Sequence, residues 1–184
     1  MADKYNKVEP KVPTGILISL AAAFVVIIVL VIIAIPSKPQ KIYNEYKLTA
    51  DLDYFTKDHP FYEIKADDVL AYVEDEETFL LFIGSSSDSS SYTHIATFQR
   101  YFESTGADAY FEQIYYVSST DDAEGFTSLT ENVDGITDSI PQLILFVDGE
   151  ATEIYNAYAS TTDQLRNKNV RVFFEDVITT LEEE

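Results

Sequence analysis

The chain has 184 residues, with 12 lysines and arginines against 32 aspartates and glutamates, so its formal net charge at pH 7 is −20. It contains no cysteine, which excludes disulfides, thiolate metal sites, thiol nucleophiles and iron–sulfur ligation. The acidic excess argues against a nucleic-acid-binding protein, because phosphate contacts require clustered lysine and arginine. A hydrophobic content of 46% argues against wholesale disorder.

The first 41 residues differ in charge from the rest of the chain. They carry five lysines and two acidic residues, a net charge of +3, whereas the remainder carries −23. Residues 1–14 form a short basic tail, and residues 15–35 contain no charged side chain. A helix over these 21 residues spans about 31 Å, which matches the hydrocarbon core of a bilayer. We therefore predict a single N-terminal transmembrane helix over residues 15–35.

The orientation of this span follows from its position rather than from its flanking charges. The numbers of lysines on its two sides are nearly equal, so the positive-inside rule does not determine the orientation. A short head before the first span is the usual layout of an N-in anchor, which places the acidic part outside the cytoplasm in a single-pass protein of the cell membrane. Residues 36–60 are predicted as a tether. Whether residues 42–60 form a stalk helix or a flap on the following domain stays open.

Residues 61–184 alternate between strand and helix signals. Strands are predicted at residues 61–64, 79–84, 114–117, 143–147 and within 151–158. Helices are predicted at residues 65–75, 91–104 and 125–133, and in a last segment with Thr162 as its N-cap. The predicted order is β-α-β-α-β-α-β-β-α.

Hydrophobic patterns in three of these segments indicate how the elements assemble. Residues 79–84 are a continuous apolar run, which is typical of a central strand covered on both faces. Asp148 and Gly149 between two strands predict a hairpin. Strands joined by helices are expected to be parallel, so the sequence predicts a mixed sheet with helices on both faces. The last helix carries an apolar stripe at helical spacing, made of Val170, Phe173, Phe174, Val177, Ile178 and Leu181.

Two segments carry a resemblance to a known family. Residues 79–94 read FLLFIGSSSDSSSYTH, which is similar to the strand, active-site loop and helix start of thioredoxin-like proteins. Residues 139–149 read SIPQLILFVDG, which is similar to the cis-proline segment, its strand and the hairpin turn. The chain thus resembles the membrane-bound or exported thioredoxin-like proteins of Gram-positive bacteria, including the bacteriocin-transport accessory type. The resemblance implies a thioredoxin-like domain over residues 61–184.

The chain departs from this family at the residues that carry its chemistry. Where the family has Cys-x-x-Cys, this chain has Asp88, Ser89, Ser90 and Ser91. Thiol–disulfide exchange needs an attacking thiolate and a second sulfur, so dithiol oxidoreductase activity is excluded. We therefore expect no enzyme of this type, no cofactor and no metal.

The resemblance implies a groove for an extended peptide, formed by the helix start and the cis-proline segment. Main-chain pairing with such a peptide needs no cysteine. The predicted function is to bind a peptide or protein partner in the cell envelope, with the partner and the oligomeric state left open. The alternative, that residues 85–91 are a solvated loop whose function has decayed, also stays open. The predicted groove residues are Asp88, Ser89, Ser90, Ser91, Tyr92, Ile140 and Pro141.

Two further functions remain as alternatives. A hydrolase or transferase could use Ser89, Ser90 or Ser91 with His94, although the chain lacks a Gly-x-Ser-x-Gly elbow. The chain could also be a purely structural subunit of an envelope complex. Its acidic clusters do not match an EF-hand, so they are predicted to be a solvated surface.

Overall fold

The computed structural model describes residues 37–51, 53–155 and 157–183. These residues belong to one compact unit, which begins at Ser37. The predicted basic tail and transmembrane helix, residues 1–14 and 15–35, lie outside the described part of the chain. Within the described ranges, no helix is both long and apolar enough to cross a membrane.

Five strands form a single mixed sheet in the order β1-β3-β2-β4-β5. Strands β1, β3 and β2 are parallel, whereas β4 is antiparallel to β2 and β5 is antiparallel to β4. The predicted mixed sheet, with parallel early strands and an antiparallel hairpin, is therefore confirmed. The strands are β1 (Phe61–Glu63), β2 (Phe79–Gly84), β3 (Ile114–Ser118), β4 (Gln142–Val147) and β5 (Glu150–Ile154).

Helices cover both faces of the sheet. One hydrophobic core joins the sheet to α1, α3 and α5, and a second joins it to α2 and α4. Short 3₁₀ turns lie at Ala107–Ala109 and Ala157–Ala159. The helices are α1 (Lys38–Tyr46), α2 (Ala66–Glu74), α3 (Ser89–Thr105), α4 (Ala123–Asn132) and α5 (Asp163–Glu183).

The central strand β2 feeds both cores because successive side chains of a strand point to opposite faces. Leu80 and Phe82 enter the first core, and Leu81 and Ile83 enter the second. All six residues of β2 are buried, as the continuous apolar run predicted. The last helix also follows its predicted pattern, with buried side chains at Val170, Phe173, Phe174 and Val177.

The segment between Ser37 and Pro60, predicted as a tether, packs on the sheet. Ile42 and Tyr46 of α1 are fully buried in the first core, and Phe55 is buried beside them. Of the two forms that the sequence left open, the described structure is therefore closer to a flap than to a stalk. The sequence did not predict this packing, because the short helix α1 has only two buried apolar positions among polar residues.

Candidate functional site

The loop after β2 leads into α3 through a capped helix start. Asp88 is the N-cap of α3, and its carboxylate Oδ2 accepts a hydrogen bond from the Ser91 amide at 2.6 Å. The negative charge of Asp88 is favourable at this end of the helix dipole. Because the carboxylate already accepts from a helix amide, this helix start is not a vacant site for an anion.

The three serines that follow Asp88 have different surroundings. Ser89 is exposed, Ser90 is half-buried and Ser91 is fully buried. The Ser91 hydroxyl oxygen accepts a hydrogen bond from the Ser85 amide at 3.1 Å, which ties α3 to the end of β2. The hydroxyl of Ser89 and part of Ser90 thus face solvent, whereas Ser91 stabilises the fold.

The geometry of His94 disfavours a Ser–His catalytic pair. The His94 Nδ1 lies 2.7 Å from the Ser90 carbonyl oxygen, to which it must donate because a carbonyl only accepts. The Ser90 hydroxyl lies 3.5 Å from the same nitrogen. A protonated Nδ1 cannot accept the proton of that hydroxyl, so the general base that a serine nucleophile requires is not in place.

The other ring nitrogen of His94 is buried without a partner. His94 is 3% exposed, and its ring packs against Phe98 and Tyr155, each with a centroid separation of 5.7 Å. Its Nε2 has no hydrogen-bond partner among the residues that the structure describes. Burial lowers the pKa of His94, and the nearby charge of Arg166 lowers it further, against the opposing effect of the Ser90 carbonyl. The ring is therefore neutral at pH 7.

The segment before β4 is held in a fixed shape by one buried glutamine. The Ile140–Pro141 peptide bond is cis. The Gln142 side chain accepts from the Thr137 amide at 2.9 Å and donates to the Thr137 carbonyl at 2.7 Å. Pro141 is buried, and Ile140 is half-buried against the second core. Residues 137–142 therefore present a defined surface.

The register of the sheet places the two predicted halves of the groove at the same end of the sheet. Ile83 of β2 pairs with Gln142 of β4, so Pro141 lies beside the end of β2, from which the chain continues into α3. Tyr92, in the first turn of α3, is half-buried against the first core. The two halves identified in the sequence thus lie at one end of the sheet.

A groove of about 600 Å³ lies next to this end, between residues 135–142 and residues 154, 155, 157 and 158. Of the seven predicted groove residues, its lining includes Ile140 and Pro141 but none of residues 88–92. The lining also includes Ile154 and Tyr158, which the sequence reasoning missed. Ile154 is 49% exposed and Tyr158 is 75% exposed. The Tyr158 hydroxyl donates to the Ser139 hydroxyl at 2.9 Å, which links the two walls. No local sequence pattern predicts these residues, because the groove forms where two separate segments of the chain approach each other.

A second cavity of about 480 Å³ lies at the carboxyl ends of β1 and β3. Lys41 pairs with two of its carboxylates. The Lys41 ammonium lies 2.6 Å from Glu63 and 3.3 Å from Asp121, and the bond to Glu63 is the main cause of a raised Lys41 pKa. We assign this cavity no ligand, since Lys41 already pairs with Glu63 and Asp121. The charged lining residues are Lys38, Lys41, Glu63, Lys65, Asp68, Asp121 and Asp122.

Neither metal ligation nor sequence similarity adds to this description. Among the described residues, no group of three or more histidines and carboxylates is arranged to hold a metal ion. No protein-family model matches the chain, and a comparison with curated proteins finds no match. The site is thus defined by its own geometry, as a rigid and partly apolar groove at the end of an α/β sheet.

Proposed function

We propose that this chain is a membrane-anchored, redox-inactive thioredoxin-like protein that binds a peptide or protein partner in the cell envelope. The observation that carries the proposal is that the α3 start and the Ile140–Pro141 segment lie at the same end of the sheet, where Ile140 and Pro141 line a groove of about 600 Å³. Pockets of this size are typical of ligand sites.

The topology supports the thioredoxin-like part of the proposal. Three parallel strands and an antiparallel hairpin in one mixed sheet agree with the arrangement that the sequence predicts for a domain of this kind. Helix α3 follows β2 directly, where that family carries its active-site helix. Because the chain has no cysteine, the proposed role is binding without thiol exchange.

The fixed shape of the groove wall supports peptide binding. The hydrogen bonds between Gln142 and Thr137 hold the segment before β4 in place. A surface that is already ordered loses little conformational entropy when a partner binds, which favours affinity. Extended peptides bind such surfaces through main-chain hydrogen bonds, and these require no particular side chain.

Membrane anchoring rests on the composition of residues 15–35, and it is tested separately. Alkaline carbonate extraction of membranes should leave the full-length chain in the membrane fraction. Deletion of residues 15–35 should release it. Protease added to intact cells lacking a wall should degrade the acidic domain if it faces outward, and digestion only after lysis would contradict the proposed orientation.

Partner capture tests the part of the predicted binding site that lies at the α3 start. The full-length chain is crosslinked in cells and purified from detergent-solubilised membranes. Ser90→Arg places a long charged side chain at the half-buried helix start, whereas Ser104→Arg makes the same change at an exposed position near the end of α3. We expect Ser90→Arg to lose the wild-type partners and Ser104→Arg to keep them. Retention of the same partners by both variants would instead favour the purely structural subunit.

A further inference from the structure

We propose that the groove selects a cationic, extended segment of the partner and places a lysine or arginine side chain against Tyr158. This inference rests on the proposed function. It adds the chemistry of the partner, together with three residues outside the groove predicted from the sequence, namely Asp138, Ile154 and Tyr158. We call the space between residues 135–142 and residues 154, 155, 157 and 158 the β5 groove.

Both walls of the β5 groove are built from fixed side chains. On one wall, Gln142 is 5% exposed and holds the loop through Thr137. On the other wall, Tyr155 is 4% exposed, and its hydroxyl donates to Ser160 at 2.7 Å. The exposed Tyr158 extends from this second wall. The groove is therefore a formed feature of the fold rather than a gap between loose loops.

A glycine allows the loop to approach β5 closely. Gly135 has a φ of +89°, and a Cβ atom at this position would lie 2.6 Å from the Ala151 Cβ and 3.2 Å from the Ile154 Cδ1. The backbone of residue 135 thus rests against the strand, which sets the width of the groove near Ile154. Any larger residue would push the loop away from β5.

The apolar part of the β5 groove is left uncovered. Ile154 is 49% exposed and Tyr158 is 75% exposed, and both line the same groove. Covering apolar surface is favourable by about 25 cal/mol per Å², so a partner gains from contact with these two side chains. β5 is also an edge strand of the sheet, which suits an extended segment.

Charge identifies the partner as cationic. Between Lys65 and Arg166 the chain has 20 acidic residues and a single basic residue, Arg100. The charge of Arg166 acts on Tyr155 of the groove wall, but its guanidinium already pairs with Asp163 at 2.8 Å. The Arg100 guanidinium lies over the rings of Tyr54 and Tyr101, at 4.5 and 5.2 Å from their centroids, and it is not part of the groove lining.

The acidic surroundings attract positive charge to the groove. Asp138 lines it, and no lysine or arginine does so. A strongly negative surface raises the local concentration of cationic segments and speeds their association. The exposed face of Tyr158 adds a cation–π contact for a lysine or arginine side chain.

Three matched peptides test this inference. Each fluorescein-labelled nonapeptide has valine at alternate positions, and the other positions are all arginine, all glutamine or all glutamate. Binding to the full-length chain in phosphatidylcholine nanodiscs is followed by fluorescence anisotropy, with empty nanodiscs as the blank. We expect the arginine peptide to bind at least about tenfold more tightly than the glutamine peptide. Equal affinities, or no binding of either, would overturn the inference.

Paired variants distinguish peptide binding in the β5 groove from nonspecific attraction to the acidic surface of the chain. Tyr158→Ala and Asp138→Asn should each weaken the arginine peptide by about three- to fivefold, the scale of one exposed cation–π or charge contact. Tyr110→Ala and Asp108→Asn make the same changes at exposed positions in the turn after α3, and they should leave the affinity within about twofold. Equal weakening in both pairs would show only a nonspecific attraction to acidic protein.

The outcome for this inference is distinct from that for the proposed function. If Ser90→Arg releases the cellular partners but arginine and glutamine peptides bind alike, the peptide-binding role stands and the cationic preference is wrong. If Ser90→Arg and Ser104→Arg keep the same partners, the proposed function is wrong, whatever the peptides show.

Discussion

The two histidines of the chain lie in two regions of the fold and differ in the hydrogen bonding of their ring nitrogens. His59 belongs to the α1 flank, residues 37–60, and both of its ring nitrogens have partners. Its Nε2 donates to the Pro39 carbonyl at 2.9 Å, and its Nδ1 accepts from the Phe61 amide at 3.2 Å. His94 lies at the groove end of the sheet, and its Nε2 has no partner among residues 37–51, 53–155 and 157–183.

The apolar side chains of the two regions show the same contrast. Ile42 and Tyr46 of the α1 flank are fully buried. At the groove end, by contrast, Ile154 is 49% exposed and Tyr158 is 75% exposed. A buried polar atom without a partner costs about 1–3 kcal/mol, and an exposed aromatic contributes little to folding. The flank therefore serves stability. The groove end retains features that do not help folding, which is typical of a binding site.

The largest expected effect lies in the α1 flank. Ile42→Ala should lower the free energy of unfolding by about 2–5 kcal/mol, because it removes a fully buried side chain from the first core. Leu48→Ala is the matched control, since Leu48 is 87% exposed. Denaturant unfolding of the full-length chain in neutral detergent measures both. If Ile42→Ala and Leu48→Ala had the same free energy of unfolding, α1 would not contribute to the core as described.

The next effect lies under the predicted groove. Ser91→Ala should cost about 1–3 kcal/mol of stability, because the buried Ser85 amide loses the hydroxyl that accepts its hydrogen bond. Ser89→Ala removes an exposed hydroxyl from the same helix and should change stability by less than about 0.5 kcal/mol. The same unfolding measurement tests the pair. A neutral Ser91→Ala would show that this hydroxyl is not required.

Most of the fold could be predicted because its signals are local. The continuous apolar runs of β2 and β4 correspond to strands that are buried throughout. The Asp148-Gly149 turn has positive φ angles at both residues, 48° and 76°, which is the conformation that this dipeptide favours. Thr162 caps α5 as predicted, since its hydroxyl accepts from the Leu165 amide at 3.2 Å.

The α1 flank and the β5 groove could not be predicted because they depend on distant contacts. Ile42 and Tyr46 are two apolar positions in a short polar helix, too few to show a period. Tyr158 joins the groove only because its segment lies opposite Ser139. The predicted groove residues came from a resemblance, which marks positions but not exposure. It therefore did not separate the buried Ser91 from the exposed Ser89.

Acidification should weaken the fold through both histidines. Burial lowers the pKa of His59 and of His94 in the folded state, so below about pH 6.5 the unfolded chain binds more protons than the folded one. Their contribution to stability is complete above that pH and is lost as the pH falls, by at most about 1.4 kcal/mol per pH unit for each histidine.

A variant isolates the part of this effect that belongs to His94. His94→Gln removes the titrating ring, so its unfolding free energy should fall less steeply than that of the wild type between pH 7.5 and pH 5. The stability difference between the two proteins should therefore shrink on acidification. Parallel curves over this range would mean that the folded-state pKa of His94 is not lowered.

The smallest expected effect concerns two tyrosines of the β5 groove. Tyr158 is 75% exposed, and Tyr158→Ala should change the unfolding free energy by less than about 0.5 kcal/mol. Tyr155 is 4% exposed, and Tyr155→Phe, which removes only the hydroxyl that donates to Ser160, should cost about 0.5–1.5 kcal/mol. A large loss in Tyr158→Ala would mean that the side chain supports the fold through its Ser139 hydrogen bond. A negligible loss makes Tyr158→Ala suitable for the peptide measurements, because the variant then keeps the stability of the wild type.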